Sequence, residues 1–421
     1  MSNLRGWKLL VLLCVANMVA YMGVFEIPPI IGNLVHDFHI SYADAGLFMS
    51  VYAFVRMLGS LLTGVFSDRY GVKRLVLGGL VLVTVAGFLC AHSHGFASML
   101  VYRTLIGTGA TLIFIPGLAT SMYLLKPEQV NLATGTFFTS MNLGLTLALL
   151  ITPIMAASFS WRTPLNVFAA VAALVTVLFF FSTLGQTIKP AAITHAEAHG
   201  TGYTAGEYSI RNVPLLLICG GYFLMLFHSY GMITWLPEYL KVARGYSPAE
   251  VGTVSMMLGL IMIPGTFLSG WIGDRLGAWG IGLVGAVLCG LCPAALILLP
   301  KLPIVGVYAD ITILAFGICL LVVPLTSILS YLVPAKDNGK AVGLVHTTGY
   351  AGSLISTFLG GYLLTITKSY FWTFMLYVAS MVVTMVLLLA LRSCYAEAKK
   401  AARRQNMTVF AQAELPNASG D

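Results

Sequence analysis

The feature that most constrains this chain is a series of long apolar runs that recurs from near the N-terminus almost to the C-terminus. A helical run of about 18 residues or more can cross a hydrocarbon core of about 30 Å. Lipid offers the backbone no hydrogen-bond partners, and the runs lack the alternation of barrel strands, so they must be helices. Only 9% of the residues are charged, against about 25% in soluble domains. The sequence therefore predicts an all-α membrane protein.

Twelve transmembrane helices are predicted from these runs. Their spans are 9–31, 43–66, 74–93, 98–121, 132–157, 164–185, 212–237, 249–271, 279–300, 304–332, 339–366 and 370–391. The longest polar connection, rich in Gly and Pro, follows the sixth span. These features divide the chain into a six-helix bundle at 1–185, a cytoplasmic linker at 186–211, a second six-helix bundle at 212–391 and a cytoplasmic tail at 392–421.

The distribution of positive charge predicts the orientation. Of the 23 Lys and Arg residues, sixteen lie in segments on the side of the N-terminus and five on the other, with Arg56 and Arg103 inside spans. Because Lys and Arg are retained on the cytoplasmic side, we expect both termini to be cytoplasmic in a bacterial inner membrane. The net charge of +8 is thus explained by topology, and no nucleic-acid partner is predicted. The basic tail residues either attract anionic membrane lipid or stop transfer.

The two halves repeat each other at a fixed offset. Segment 41–46 aligns with 247–252, and 64–71 aligns with 270–277, in both cases 206 positions later. The first pair has a serine three residues before an acid, which is the pattern of a helix capping box. The second pair predicts a helix end followed by a tight glycine turn. The chain is therefore predicted to be two parallel, pseudo-symmetric six-helix bundles with a substrate path between them.

The segment Gly64-Val-Phe-Ser-Asp68-Arg69-Tyr-Gly71-Val-Lys73-Arg74 closely resembles the signature of the major facilitator superfamily, and the segment from Asp274 to Gly277 resembles its weaker second copy. Arg103, with Gly107 and Gly109, resembles a second motif of the family. The resemblance covers about 10–391 and implies alternating access, in which the bundles rock around a central site.

A gating role is predicted for the repeated loop motif. An acid at the C-terminal end of a helix opposes the helix dipole unless it meets a cation or the N-terminus of another helix, and such a contact can latch one conformation. The alternative is that the cations only anchor the loop in the cytoplasm. The candidate gating residues are Gly64, Asp68, Arg69, Gly71, Lys73, Arg74, Asp274, Arg275 and Gly277.

Four charged residues, Glu26, Arg56, Arg103 and Asp310, lie inside predicted spans and away from the span ends, where charges are costly and usually face a cavity or a partner. Glu26 and Arg103 are both predicted to lie roughly 6–8 Å below the outer boundary. We expect them to form a proton-sensitive pair that couples transport, with Asp310 and His228 as further proton-carrying candidates. The alternative is a static ion pair, or a glutamate that reaches the interface.

Arg56 is predicted to lie roughly 20 Å deep, near the middle of the membrane, on one helix face with Tyr52. A guanidinium there suits a carboxylate or another planar oxyanion. Polar residues of the fifth and eleventh spans, Asn142, His346 and Tyr350, are the other candidates for substrate binding. The alternatives are an acid or backbone carbonyls as partners of Arg56, and helix-to-helix hydrogen bonds for the polar residues.

The leading functional prediction is a monomeric secondary transporter that takes up a small anion together with protons. The fifth span lacks the Gly-Pro pair that is frequent in drug-exporting relatives of the resembled family, which disfavours the alternative of drug or metabolite efflux. A transporter-like solute sensor is a more remote alternative. An enzyme is not expected, because no nucleophile, metal cluster or nucleotide-binding loop occurs, and no cofactor or metal is predicted.

Overall fold

The computed structural model describes residues 3–126, 129–184, 213–332 and 338–413, and within these ranges the chain is helices joined by short connections. The helices of the first half are α1 (Asn3–Phe25), α2 (Ile31–Phe38), α3 (Tyr42–Tyr70), α4 (Val72–Ala91), α5 (Phe96–Leu124), α6 (Val130–Ser158) and α7 (Arg162–Ser182). Those of the second half are α8 (Val213–Val242), α9 (Pro248–Ser255), α10 (Met257–Leu276), α11 (Ala278–Leu298), α12 (Ile304–Leu332), α13 (Asn338–Thr367) and α14 (Tyr370–Ala413).

The twelve-helix membrane fold is confirmed. Eleven stretches of the described residues are long and apolar enough to cross a membrane, and α3, with 29 residues, is the twelfth long helix. The predicted linker at 186–211 lies outside the described residues, and the domain boundaries placed there remain a prediction. The predicted tail begins as a continuation of α14, which stays helical to Ala413.

Two helices end at other residues than predicted, and in both cases a proline is nearby. The first span was expected to continue unbroken to residue 31, but α1 ends at Phe25 and a 3-10 turn follows at Pro28–Ile30. Consecutive prolines remove two backbone donors, so the α-helical hydrogen bonds cannot continue across them. By contrast, α8 continues through Pro237 to Val242, five residues past the predicted end, since neighbouring membrane helices compensate for the lost hydrogen bond.

The repeat that the sequence indicated is confirmed in the local geometry. Ser41 caps α3 by accepting a hydrogen bond from the Asp44 N–H at 3.1 Å, and Ser247 caps α9 by accepting one from the Glu250 N–H at 3.4 Å. Each acid also accepts a hydrogen bond from the N–H of its serine, at 3.1 and 2.8 Å. Both capping boxes are therefore complete.

The two halves meet along α3 and α13, and along α6 and the α9–α10 pair. We call the side of the bundle on which α1 begins the terminal side, and the other the far side. In the far-side half of α3, the Ser50 hydroxyl contacts the Thr357 hydroxyl at 2.7 Å and donates to the Leu354 carbonyl at 2.8 Å. A Cβ on Gly252 of α9 would lie 2.6 Å from the Leu150 carbonyl oxygen of α6. The halves are thus in close contact on the far side.

Candidate functional site

Arg56 of α3 lies at the boundary between the halves and is 2% exposed. Its Nε donates to the Tyr350 hydroxyl of α13 at 3.2 Å, and its guanidinium carbon lies 3.9 Å from the centre of the Phe114 ring of α5. Its Nη1 is buried and makes no hydrogen bond. Among the described residues, no carboxylate lies within 4.0 Å of the guanidinium. The guanidinium therefore retains an unused donor and an unbalanced charge.

Aromatic side chains from five helices surround this guanidinium. The Tyr52 hydroxyl is 3.5 Å from the Tyr21 hydroxyl of α1. The Tyr52 ring stacks on the Tyr230 ring of α8 with 6.3 Å between centres, and the centres of Tyr230 and Tyr350 lie 6.2 Å apart. We call this cluster the Arg56 cage; its members are Tyr21, Tyr52, Arg56, Phe114, Tyr230 and Tyr350. The cage is built by both halves of the protein, as a central site requires.

The two remaining candidates for substrate binding are His346 of α13 and Asn142 of α6. His346 lies one turn from Tyr350 on α13, and its Nδ1 is 3.4 Å from the Tyr222 hydroxyl of α8. Asn142 lies where α6 approaches Gly259 of α10, and its side-chain oxygen is buried without a hydrogen bond. Of the five predicted substrate-binding residues, the structure thus groups Arg56, Tyr52, Tyr350 and His346 in one region.

Glu26 and Arg103 lie together, as their predicted depths require. An oxygen of Glu26, which is in the turn after α1, is 3.8 Å from Nη1 of Arg103, and both side chains are buried. The short hydrogen bonds of Arg103 go to backbone instead: Nη1 and Nη2 donate to the carbonyls of Gly23 and Val24 at 2.6 and 2.7 Å. Arg103 therefore satisfies carbonyls that the end of α1 leaves open, while Oε1 of Glu26 has no hydrogen bond.

The other two proton-carrying candidates lie away from the cage. His228 is buried against α14, where its Nδ1 is 3.3 Å from the Tyr377 carbonyl oxygen. Asp310 of α12 has Cys292, Arg244 and Tyr239 as titratable neighbours, all within the second half. Neither residue contacts Arg56, Glu26 or Arg103 in the described hydrogen bonds and ion pairs, so the structure does not join the four candidates into one relay.

The predicted gating loops have matching backbone geometry. Gly71 and Gly277, 206 positions apart, both adopt positive φ, +79° and +89°. The Lys73 ammonium donates to the Thr183 carbonyl, just beyond the end of α7, where a cation complements the helix dipole. Arg69 and Arg275 are exposed and lie over aromatic rings of their own helices, and Arg74 is exposed. For Gly64, Asp68 and Asp274 the structure describes only the helical backbone.

Sequence reasoning missed two features of this region. The aromatic members of the cage from α1, α5 and α8 were not among the predicted site residues, because nothing in one apolar span shows which rings converge. Glu238 was placed in a loop, because α8 was predicted to end at Pro237. Its carboxyl is 2% exposed. The continuing apolar pattern around Leu236 and Leu240 is the signal that indicates a longer helix.

Twelve membrane helices, repeated loop motifs and a central site between two halves define the class of polytopic transport proteins. The chain belongs to the Major Facilitator Superfamily, whose family model matches residues 13–331. It is accordingly a multi-pass membrane transporter of small solutes and not an enzyme.

Named relatives and a solved structure agree with this assignment. The chain is 25% identical to the MFS-type transporter YceJ of Bacillus subtilis, with 80% of this chain and 85% of that protein aligned. It is 25% identical to the gentisate transporter of Corynebacterium glutamicum (79% and 75% aligned) and 22% identical to the probable sulfoacetate transporter SauU of Cupriavidus necator (86% and 88%). A peptide transporter solved with sulfate matches with a TM-score of 0.76 over 93% of this chain and 95% of its own, at 16% identity, which shows the fold alone.

Proposed function

We propose that this transporter takes up a small organic anion together with protons, and that Arg56 binds the anion's carboxylate. The observation that carries the proposal is the guanidinium of Arg56, which is buried at the boundary between the halves with a free Nη1 and no described carboxylate partner. A buried charge without an ionic partner is strongly unfavourable. An anionic ligand that enters the cage offsets the desolvation free energy of the guanidinium.

The geometry of the cage favours a carboxylate on a small, partly apolar body. The guanidinium presents a planar fork of donors, which matches a carboxylate in bidentate fashion. The tyrosine hydroxyls supply further donors and acceptors, and the rings supply apolar surface. Gentisate and sulfoacetate, which two relatives are named for transporting, both carry a carboxylate, and this agrees with the proposed substrate class.

Thermal-shift measurements on the purified protein test this proposal. Benzoate, acetate and succinate are added separately, and we expect at least one of them to raise the melting temperature. This rise should be substantially smaller in Arg56→Lys and absent in Arg56→Gln. Lysine keeps the charge but loses the planar fork. Arg392→Gln is the matched control, because Arg392 is an exposed arginine that lies over Trp279, and it should keep the full shift.

Two outcomes would contradict the anion proposal. One is stabilisation by carboxylates that is undiminished in Arg56→Gln. The other is stabilisation by organic cations alone, equally strong in the wild type and in Arg56→Gln, which would favour efflux of cationic compounds instead.

Proton coupling is proposed at Glu26. Its buried carboxyl is 3.8 Å from Arg103 without hydrogen-bonding to it, so the group can gain or lose a proton without breaking the bonds that hold Arg103. The excess of Lys and Arg on the terminal side supports a cytoplasmic location of that side in a bacterial inner membrane. Uptake would then run from the far side to the terminal side.

A further inference from the structure

A second buried carboxyl, that of Glu238 on α8, bridges the two halves on the far side. Its Oε1 accepts a hydrogen bond from the Tyr42 hydroxyl of α3 at 3.3 Å. On α2, a Cβ added to Gly32 would fall on the same Oε1, so a larger residue at this position would displace the carboxyl from its seat. Glu238 belongs to the second half, whereas Tyr42 and Gly32, which meet its Oε1, belong to the first. The contact therefore exists only while the halves are closed on the far side.

The Glu238 carboxyl lacks a counter-ion. Oε2 is buried without a hydrogen bond, and among the described residues no cation lies within 4.0 Å of either oxygen. The titratable groups that face it are Tyr42 of α3, Tyr370 of α14 and Lys241 one turn along α8. Lys241 is exposed, and its ammonium donates to the Asn33 side-chain oxygen at 3.4 Å.

We propose that Glu238 is a proton-operated latch: closing the halves on the far side takes up one proton on its carboxylate, and opening them releases that proton to water. An ionised carboxylate that is removed from water without a cation is strongly disfavoured, whereas the neutral carboxyl needs only hydrogen bonds. The proton passes from far-side water to Oε2 on closure and returns to far-side water on opening. Acid on the far side therefore favours the closed state, and alkaline conditions favour the open state.

This latch is separate from the anion site and from the proton proposed for Glu26. A proton held on Glu238 stays behind the closed gate, so it sets the pH dependence of gate closure and is not delivered to the terminal side. A substrate-free measurement of the gate therefore tests the latch whether or not the anion proposal holds.

Pulsed electron paramagnetic resonance measures the gate directly. Nitroxides are attached at His94→Cys and Lys301→Cys, which are exposed far-side positions in different halves, after Cys14 and Cys394, the two partly exposed cysteines, are replaced by serine. As the pH rises from about 4 to about 9, we expect the distances in the labelled but otherwise unchanged protein to shift from a short to a longer population. Glu238→Gln, which cannot ionise, should stay in the short population throughout.

Three further variants separate the latch from a general effect of mutation. Glu250→Gln removes a charge on the same side, keeps a side chain that can complete the capping box, and should retain the wild-type response. Gly32→Ala fills the seat of the carboxyl and should give the longer population at every pH. Tyr42→Phe removes the hydroxyl that donates to the carboxyl from α3 and should enlarge the pH response, which keeps the test available if Glu238→Gln fails to fold.

Any of three results would overturn the latch. These are a wild-type distance distribution that does not change with pH, a wild-type pH response retained in Glu238→Gln, and an unaltered response in Tyr42→Phe.

Discussion

Two buried arginines of the first half differ in what their donors contact. Arg103 donates hydrogen bonds from Nη1 and Nη2 to the carbonyls of Gly23 and Val24, and Glu26 lies beside it. Among the described residues, Arg56 hydrogen-bonds to Tyr350 alone and keeps Nη1 free. Since buried donors are normally satisfied, Arg103 has the environment of an anchoring residue and Arg56 that of a binding residue.

We expect Glu26→Gln to abolish uphill accumulation while exchange and downhill flux continue, because glutamine keeps the shape of the side chain but cannot carry a proton. Proteoliposomes with and without a pH gradient measure both modes with a labelled carboxylate. Asp310→Asn is the matched control, since Asp310 is also buried but lies away from the cage, and it should accumulate normally. Accumulation driven by the pH gradient in Glu26→Gln would remove Glu26 from the mechanism.

Short glycine turns connect consecutive helices at equivalent places in the two halves. Gly71 joins α3 to α4 with φ +79° and ψ 149°, and Gly277 joins α10 to α11 with φ +89° and ψ 132°. A side chain is strained at such angles even though open space surrounds both positions. The turns thus fix how each helix pair enters its bundle through backbone conformation rather than through packing.

Gly71→Ala and Gly277→Ala should each destabilise the protein by about 1–3 kcal/mol, because the strained backbone must be held in place. Gly78→Ala in α4 is the control: it also meets open space but lies in a regular helix, so it should be neutral or stabilise by up to about 1 kcal/mol. Thermal unfolding in detergent compares the three variants. Equal melting temperatures for Gly71→Ala and Gly78→Ala would contradict the argument from backbone strain.

At the scale of the whole molecule, small residues let the two halves approach closely on the far side. A Cβ on Gly46 of α3 would fall on the Thr357 carbonyl oxygen of α13, and a Cβ on Gly252 would lie 2.6 Å from that of Leu150. Gly46 and Gly252 are 206 positions apart, so each half contributes the same residue to its own contact with the other half. Close backbone approach at small residues is the usual means of packing membrane helices.

Gly46→Val and Gly252→Val should hold the far side open, because overpacking an interface costs about 1–3 kcal/mol. Each ~1.4 kcal/mol of destabilisation lowers the ratio of closed to open protein by about tenfold. The transport rate should fall, because fewer molecules close on the far side in each cycle. The labelled His94→Cys and Lys301→Cys pair should report the longer distance at acidic pH. Gly270→Val, in open space on α10, is the control and should close normally. Short distances in Gly46→Val would contradict the close-contact mechanism of closure.

Local patterns in the sequence were sufficient to predict the membrane fold. Hydropathy fixed the number of helices, because lipid forces each long apolar run to satisfy its own backbone. The serine and acid of each capping box, and the glycine of each turn, predicted their geometry because those interactions join residues within a few positions of one another. Helix ends at prolines were less predictable: the prolines after Ile27 end a helix, whereas Pro237 lies inside one, and the difference depends on neighbouring helices.

The candidate site was only partly predictable, because it depends on contacts between distant segments. Depth along a helix correctly paired Glu26 with Arg103 and singled out Arg56. The rings that surround Arg56 come from five helices, and the seat of Glu238 is a glycine 206 positions earlier in the chain. The residue types alone did not indicate that these side chains converge. The sequence determined which groups are embedded in the membrane, whereas the packing of the two halves decided which of them lack a partner, because only tertiary contacts bring distant atoms within hydrogen-bonding distance.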